Sequence, residues 1–297
     1  METARGRAHG AIGVVNAIGT GGLGAATAID LWLSVEAWKC SKPRGYTITR
    51  STRVEVDKAI LEAVADTLSK HVGKGIGSLC IRGISDIPLE AGLKGSSALI
   101  NAALEAGLRL LGYQSSLLEL AKLGVEVARA AGLTITGALD DHLAVSGCGT
   151  YATNNASQQL LRHIDGPEGL VVIAVPGRRS IKSIDREAFE IYQPLYLAAW
   201  RLLEDGDWGK TVLVNGVATA LATGTSAEPL FELIRSEAET AGISGKGPAV
   251  YAFKSTGPIG SLVEKARKLF PKVVVTKTIS CSSYTRSSYP ALSSLKD

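Results

Sequence analysis

Two stretches of the chain carry residues of the types and spacing that phosphate chemistry needs. The first is Pro88-Leu-Glu-Ala-Gly-Leu-Lys-Gly-Ser-Ser-Ala-Leu-Ile-Asn101, in which two glycines, a lysine and two serines run into an apolar segment. That order describes a loop feeding a helix N-terminus. Gly92 and Gly95 permit positive φ and a close approach of backbone to ligand. Ser96 or Ser97 is placed to cap the helix. The unpaired N–H groups of the first turn and the helix dipole then favour a phosphate. An ordinary capped helix after a glycine turn uses the same residues. The second stretch is Thr134-Ile-Thr-Gly-Ala-Leu-Asp-Asp-His142, with Asp140 and Asp141 adjacent in an otherwise apolar run. One of them can accept or orient a hydroxyl proton; a solvated turn or helix cap is the alternative. Lys94 can neutralise phosphate, pair with an aspartate or stand exposed. His142 reads as structural.

Two more glycine-rich loops lie at 19–24 and 242–247. None of the three is a Walker A loop: Gly209-Lys210-Thr211 has the required ending, but Glu204 stands where the first glycine must be. None is a dinucleotide fingerprint, since no G-x-G-x-x-G opens a helix directly after a strand.

These loops need elements to hold them. Residues 8–18 and 26–38 read as strands, with 46–50 as a third and 77–84 leading into the central loop. Val56–Leu68 has helical spacing. Helices follow over 97–111 and 116–131, and 149–163 reads as two short strands around Asn154-Asn155. Asp165-Gly-Pro-Glu-Gly169 is the best linker. Beyond it, Leu170–Pro176 is an apolar strand, 188–203, 210–222 and 229–240 are helices, and 249–253, 259–270 and 272–277 read as strand, helix and strand. Strands and helices on both sides of residue 165 describe a two-domain α+β protein.

The chain has 297 residues, 45% hydrophobic and 20% charged, which suits two domains with sizeable cores. The net charge of +4 comes from scattered rather than blocked Lys and Arg, and aromatics are only 5%. A nucleic-acid surface is therefore not expected. Cys40, Cys80, Cys148 and Cys281 lie far apart with no Cys-x-x-Cys spacing. They read as isolated small apolar residues in a reducing cytoplasm, not a zinc site or disulfide framework. The run from Ala11 to Ile18 has the look of a signal peptide, but Asn16 and the glycines after it interrupt it, and secretion is not expected. No apolar stretch is long enough to cross a bilayer.

Motif order adds a resemblance. Pro88, Gly92, Leu93, Ser96, Ser97 and Ala98 match the Pro-x-x-x-Gly-Leu-x-Ser-Ser-Ala loop of GHMP kinases. Within that superfamily the chain most resembles archaeal-type shikimate kinases, through Asn16–Asp30, Gly92–Ala98 and Thr134–Asp141, over essentially its whole length. It departs from them at Gly95, where a third serine is usual, and at Gly147-Cys-Gly149, where the family has Gly-Gly.

The resemblance implies a ribosomal S5 domain 2-like half over 1–164 and a ferredoxin-like half over 165–297. It implies ATP over Pro88, Leu89, Glu90, Ala91, Gly92, Leu93, Lys94, Gly95, Ser96 and Ser97, and Mg²⁺ on Ser97 and Glu126; a solvated helix position is the other reading of Glu126. Asp141 would be the catalytic aspartate with Asp140 beside it. Asn16, Thr20, Asp141 and Gly245 would meet the substrate, although Asn16 and Thr20 also suit a strand-end turn. Arg178, Arg179 and Arg286 are candidates for a substrate carboxylate. Asn215-Gly216 is a ligand turn or a helix interruption. The implied activity is ATP-dependent phosphorylation of shikimate in the cytoplasm, with homoserine or mevalonate kinase activity next, and a non-catalytic nucleotide- or sugar-binding regulator from another class. No nucleic-acid or membrane partner is implied.

Overall fold

The computed structural model describes residues 2–49, 52–88, 90–177 and 185–282. The chain runs β1 (Thr3–Val15), α1 (Ala17–Thr20), β2 (Leu23–Cys40), β3 (Arg44–Thr49), β4 (Thr52–Glu55), α2 (Lys58–Val72), β5 (Ser78–Ser85), α3 (Gly95–Leu110), α4 (Leu117–Ala130) and α5 (Leu139–Ala144). It continues through β6 (Thr150–Asn154), β7 (Gln159–Ile164), β8 (Leu170–Ala174), α6 (Arg186–Ile191), α7 (Gln193–Glu204), α8 (Trp208–Ala222), α9 (Glu228–Arg235), β9 (Thr240–Ile243), β10 (Val250–Lys254), α10 (Gly260–Leu269) and β11 (Val273–Lys277).

β2 organises the larger, seven-stranded sheet. It is antiparallel to β1 from Ala25 to Trp38. Its other edge is shared: β6 takes Leu23–Thr27 and β5 takes Leu33–Cys40. β3 joins β5 in parallel, β4 joins β3, and β7 closes the far edge beside β6. The helix α3 lies on this sheet because its facing residues are small. A Cβ on Gly6 would stand 2.0 Å from the Ala102 carbonyl oxygen, so β1 and α3 touch backbone to backbone.

The smaller sheet has the order β11-β8-β10-β9. β8 is apolar on successive residues because both its faces are covered. Val171 and Ile173 enter the core shared with the larger sheet, whereas Val172 enters a second core with Leu230, Leu233 and Leu262. β10 alternates in the same way: Tyr251 and Phe253 face the shared core, Val250 and Ala252 the second. One apolar core therefore bridges both sheets and keeps their relative placement fixed.

Several sequence expectations are corrected here. The glycine stretch 19–24 is not all loop: α1 occupies its start and β2 begins at Leu23. The helix expected over 188–203 divides into α6 and α7, because Pro194 suits a helix start and not an interior. The helix expected to reach Thr240 ends at Arg235, and Thr240 opens β9. Asn215-Gly216 neither turns nor interrupts: both lie inside α8, where Gly216 lets the helix pack on Gly242.

The cysteines are not isolated. Cys40 pairs with Cys80 and Cys148 with Cys281, across 40 and 133 residues of sequence. Separations of that size are invisible to local spacing rules, and the paired sulfurs remove the cysteine argument for a reducing compartment. No helix among the described residues is long and apolar enough to cross a membrane.

The closeness of β1 and α3 gives a test. Gly6→Ala forces the two backbones apart and should lower the unfolding free energy by at least about 1–3 kcal/mol. A denaturant midpoint measured against the parent protein reads this directly.

Candidate active site

The central loop ends at Lys94, which is the N-cap of α3 in the left-handed region, at φ 61° and ψ 27°, and makes no side-chain cap bond. Ser96 and Ser97 are therefore not caps, as the sequence suggests; the helix already starts at Gly95, which places them in its first turn. First-turn N–H groups have no intrahelical acceptor. The residues that carry them, Gly95, Ser96 and Ser97, line a cavity of about 550 Å³.

The Lys94 side chain reaches Asp141, with Nζ 2.8 Å from Oδ1. Only 13% of the lysine side chain and 16% of the aspartate remain exposed, so this pair is far less screened than a surface ion pair. Burial works to lower the Lys94 pKa, but attraction by Asp141 and Asp140 and the hydrogen bond to Asp141 outweigh it and hold the ammonium above its ordinary value.

Asp140 and Asp141 sit in the first turn of α5, not on a strand. Neighbours on a helix diverge by about 100°, and the two carboxylates accordingly meet different surroundings. Asp140 is buried and accepts a hydrogen bond from Asn155 Nδ2 at 2.8 Å. The Asn155 Oδ1 in turn accepts from the Leu139 N–H at 2.7 Å and from Thr153 Oγ1 at 3.0 Å. A Cβ on Gly24 would fall 2.7 Å from Asp140 Oδ2, so the glycine opens the space the carboxyl fills. Burial first, and the neighbouring Asp141 charge second, push Asp140 up to about 7 against the opposing pull of Lys94 and Asn155.

The third glycine loop closes the site from the smaller sheet. Ser244 Oγ donates to the Gly92 carbonyl at 2.7 Å and accepts from the Gly13 N–H at 3.0 Å. The Ala249 N–H donates to the Ala91 carbonyl at 3.1 Å. Gly92 has φ 82°, and a Cβ there would lie 2.6 Å from the Ser244 carbonyl oxygen. Asn16 donates through Nδ2 to the Gly245 carbonyl at 2.8 Å, caps α1 by accepting from the Ile18 N–H, and receives Asn215 Oδ1 on its own N–H. Loops distant in sequence thus form one wall.

Pro88, Glu90, Ala91, Gly92, Leu93, Lys94, Gly95, Ser96, Ser97, Asn16, Gly245, Asp140 and Asp141 all line the cavity. Leu89, Arg178, Arg179 and Arg286 lie outside the described residues. Two expected residues are not brought in. Thr20 is buried and donates to the Leu23 carbonyl at 2.6 Å, which serves the turn after α1. Glu126 is exposed on α4 and is not part of the cavity wall. The acidic residues that do line it are Glu55, Asp57, Glu90, Asp140 and Asp141. His142, which reads as structural in the sequence, also lines the cavity; its Nδ1 bonds Asn101 Oδ1 at 2.7 Å, and burial lowers it to about 3, so the ring is neutral.

Sequence reasoning did not find Ser244, Asn155 or Asn101. Ser244 lies within a loop that it did single out. Asn155 and Asn101 carry no local motif, since their partners are 15 and 41 residues away.

The cavity is also lined by Val54, Val56, Ile60, Leu133 and Ile135, interleaved with Glu55, Asp57, Thr134 and Thr136. A flat heterocycle suits the apolar side chains, and the polar groups suit phosphates and a hydroxyl acceptor. The donors at the start of α3 and the Ser97 hydroxyl also fit a nucleotide with a hard divalent cation, which takes oxygen ligands and keeps several waters.

Known proteins resemble the chain at three levels. The model of the GHMP kinases N terminal domain matches residues 59–149. The shikimate kinase of Thermococcus kodakarensis is 36% identical over 279 residues, covering 92% of this chain and 99% of that protein. The shikimate kinase of Aeropyrum pernix is 37% identical over 255 residues, covering 84% and 90%. Among solved structures, homoserine kinase from Cytophaga hutchinsonii superposes with a TM-score of 0.68 at 16% identity, covering 94% of this chain and 95% of that one. Lactococcus lactis galactokinase complexed with galactose gives 0.68 at 12%, covering 94% of each. At such identities these structures speak for the fold alone.

The environment of Asp140 generates a pH test. Its carboxyl titrates near 3.8 when unperturbed and near 7 in the folded chain, so the folded state holds the extra proton between those values. Stability from this group is complete below the lower value and is lost as pH rises through the upper one. Asp140→Asn keeps an acceptor for Asn155 and removes the titration. Its stability relative to the parent should rise by on the order of a few kcal/mol between about pH 4 and pH 8. Unfolding curves across that range check it; parallel curves would contradict it.

Proposed function

The chain belongs to the archaeal-type shikimate kinases of the GHMP kinase superfamily, and we propose that it transfers the γ-phosphoryl group of ATP to the 3-hydroxyl of shikimate. The observation that carries this reading is the Lys94–Asp141 pair set at the mouth of an uncapped helix N-terminus, inside one cavity. Phosphoryl transfer needs a phosphate cradle, a positioned hydroxyl and neutralised charge, with little covalent work for the protein.

In this reading the N–H groups of Gly95, Ser96 and Ser97 hold the phosphates, and Gly92 allows the loop to come close. Asp141 orients the acceptor hydroxyl and takes its proton as the new bond forms. Lys94 holds the Asp141 carboxylate through its ion pair and offers positive charge to the transferred group. Asp140 stays behind it, held by Asn155, and sets the field around Asp141. Mg²⁺ bound by Ser97 Oγ and a cavity carboxylate would neutralise charge on the β- and γ-phosphates. Glu126, outside the cavity wall, contributes no ligand. Asn16 and Gly245 would meet the substrate, and Lys246 beside Gly245, which lines the same cavity, has the charge a carboxylate substrate requires. Residues 1–164 then supply the loop and the acids as one domain, and 165–297 supply the Gly245 wall as the other.

ADP formation measured with shikimate, homoserine, mevalonate and galactose tests the substrate. Turnover with shikimate alone, dependent on Mg²⁺, is expected; turnover of another acceptor with none of shikimate would refute the reading. Asp141→Asn should lower kcat by ~10²–10⁴-fold with little change in ATP binding. Asp140→Asn should cost less. Ser97→Ala should raise the Mg·ATP concentration needed for half-maximal rate, and unchanged ATP kinetics would remove Ser97 from the metal set.

A further inference from the structure

Where the turn after α5 meets the end of β11, away from the cavity, three soft ligands converge. Cys148 lies in the turn Gly147-Cys148-Gly149, His163 near the end of the edge strand β7, and Cys281 just beyond β11. The two Sγ atoms and a ring nitrogen all lie within 4.8 Å of one another. The sulfurs are joined as a disulfide, and His163 Nε2 stands 3.5 Å from Cys281 Sγ. Around a tetrahedral zinc, with Zn–S about 2.3 Å and Zn–N about 2.0–2.1 Å, neighbouring sulfur and nitrogen ligands are roughly 3.6 Å apart. The imidazole is already at that separation.

The surroundings hold these groups in place. The His163 ring stacks on Tyr151 with centroids 4.3 Å apart. The Cys281 N–H donates to Asp165 Oδ1, and the Gly149 N–H donates to the Ile279 carbonyl at 2.7 Å, so both chain segments are tied beside the sulfurs. His163 Nε2 also contacts the Cys148 carbonyl at 2.9 Å, a contact it would exchange for a metal bond with its proton on Nδ1. Cys40 and Cys80, the other disulfide, belong to no such group among the described residues.

We propose that Cys148, His163 and Cys281 form a redox-gated site for a zinc-class divalent cation, closed by the disulfide when oxidised and open as a Cys₂His site when reduced. A water completes the tetrahedron. The step balances with a dithiol reductant: its two thiols give two electrons and two protons to the cysteine sulfurs, the S–S bond breaks, and the reductant closes to its own disulfide. The cation then displaces both thiol protons to solvent. Thiolates and imidazole select zinc-class ions over Mg²⁺, so this site does not draw on the hard cation used for phosphoryl transfer.

Anaerobic Co²⁺ titration of the full chain, oxidised or reduced by a phosphine that is then removed, tests this. The reduced protein should bind one Co²⁺ with sulfur-to-cobalt charge-transfer and tetrahedral d–d bands that Zn²⁺ abolishes; the oxidised protein should show neither. The bands should vanish in Cys148→Ser, persist in a Cys40→Ser/Cys80→Ser variant, and require about tenfold or more Co²⁺ in His163→Ala. As a check that needs no variant, Zn²⁺ should protect Cys148 and Cys281, and not Cys40 and Cys80, from alkylation in the reduced parent protein. Absence of bands in the reduced protein, bands that survive Cys148→Ser, or protection of the wrong pair overturns the proposal.

Discussion

The contact between Lys94 and Asp141 is the constraint around which the rest of the site is arranged. It sets Lys94, whose ammonium has no acceptor to offer the first-turn N–H groups, at the N-cap position in a left-handed backbone. It requires α5 to begin where it does, so that Asp141 faces the lysine while Asp140 turns inward. Breaking a buried pair by removing one member typically costs about 3–5 kcal/mol, because the remaining charge is left without compensation. The fold meets that demand with a second layer in which Asn155 holds Asp140 and Gly24 makes room for it.

Placement of the pair depends in turn on close packing of backbones. α3 can lie on β1 because glycine and alanine face each other, and the central loop can lie under the third loop because Gly92 and Gly13 leave room for it. Precision here comes from the absence of side chains. The apolar core that runs from the larger sheet into β8 and β10 then holds both halves of the wall at one distance.

Much of this was legible in the chain. Helical spacing marks α2 and α4, and the apolar run 170–176 marks β8, because each of these elements buries a continuous face. The central loop and the adjacent aspartates stand out because their chemistry is local. What stayed hidden depends on partners far away in sequence. Ser244 acts on Gly92 and Gly13, Asn155 acts on Asp140 across a turn and a strand, and the disulfides join residues 40 and 133 positions apart. Thr20 and Glu126 looked functional for the opposite reason: residue type and motif order place them near the site, whereas the side chains turn to a carbonyl and to solvent.

The wall built from residues 13, 92 and 244 also sets a temporal order. A nascent chain that has left the ribosome only as far as β7 already contains the central loop and both aspartates. It lacks Ser244, so the Gly92 carbonyl and the Gly13 N–H have no partner, and the inner face of the future cavity is open to water. Such distant contacts must wait for loop closure and are slow to form. The cavity wall is therefore complete only after the segment that carries Ser244 is made, although the central loop and both aspartates were synthesised long before.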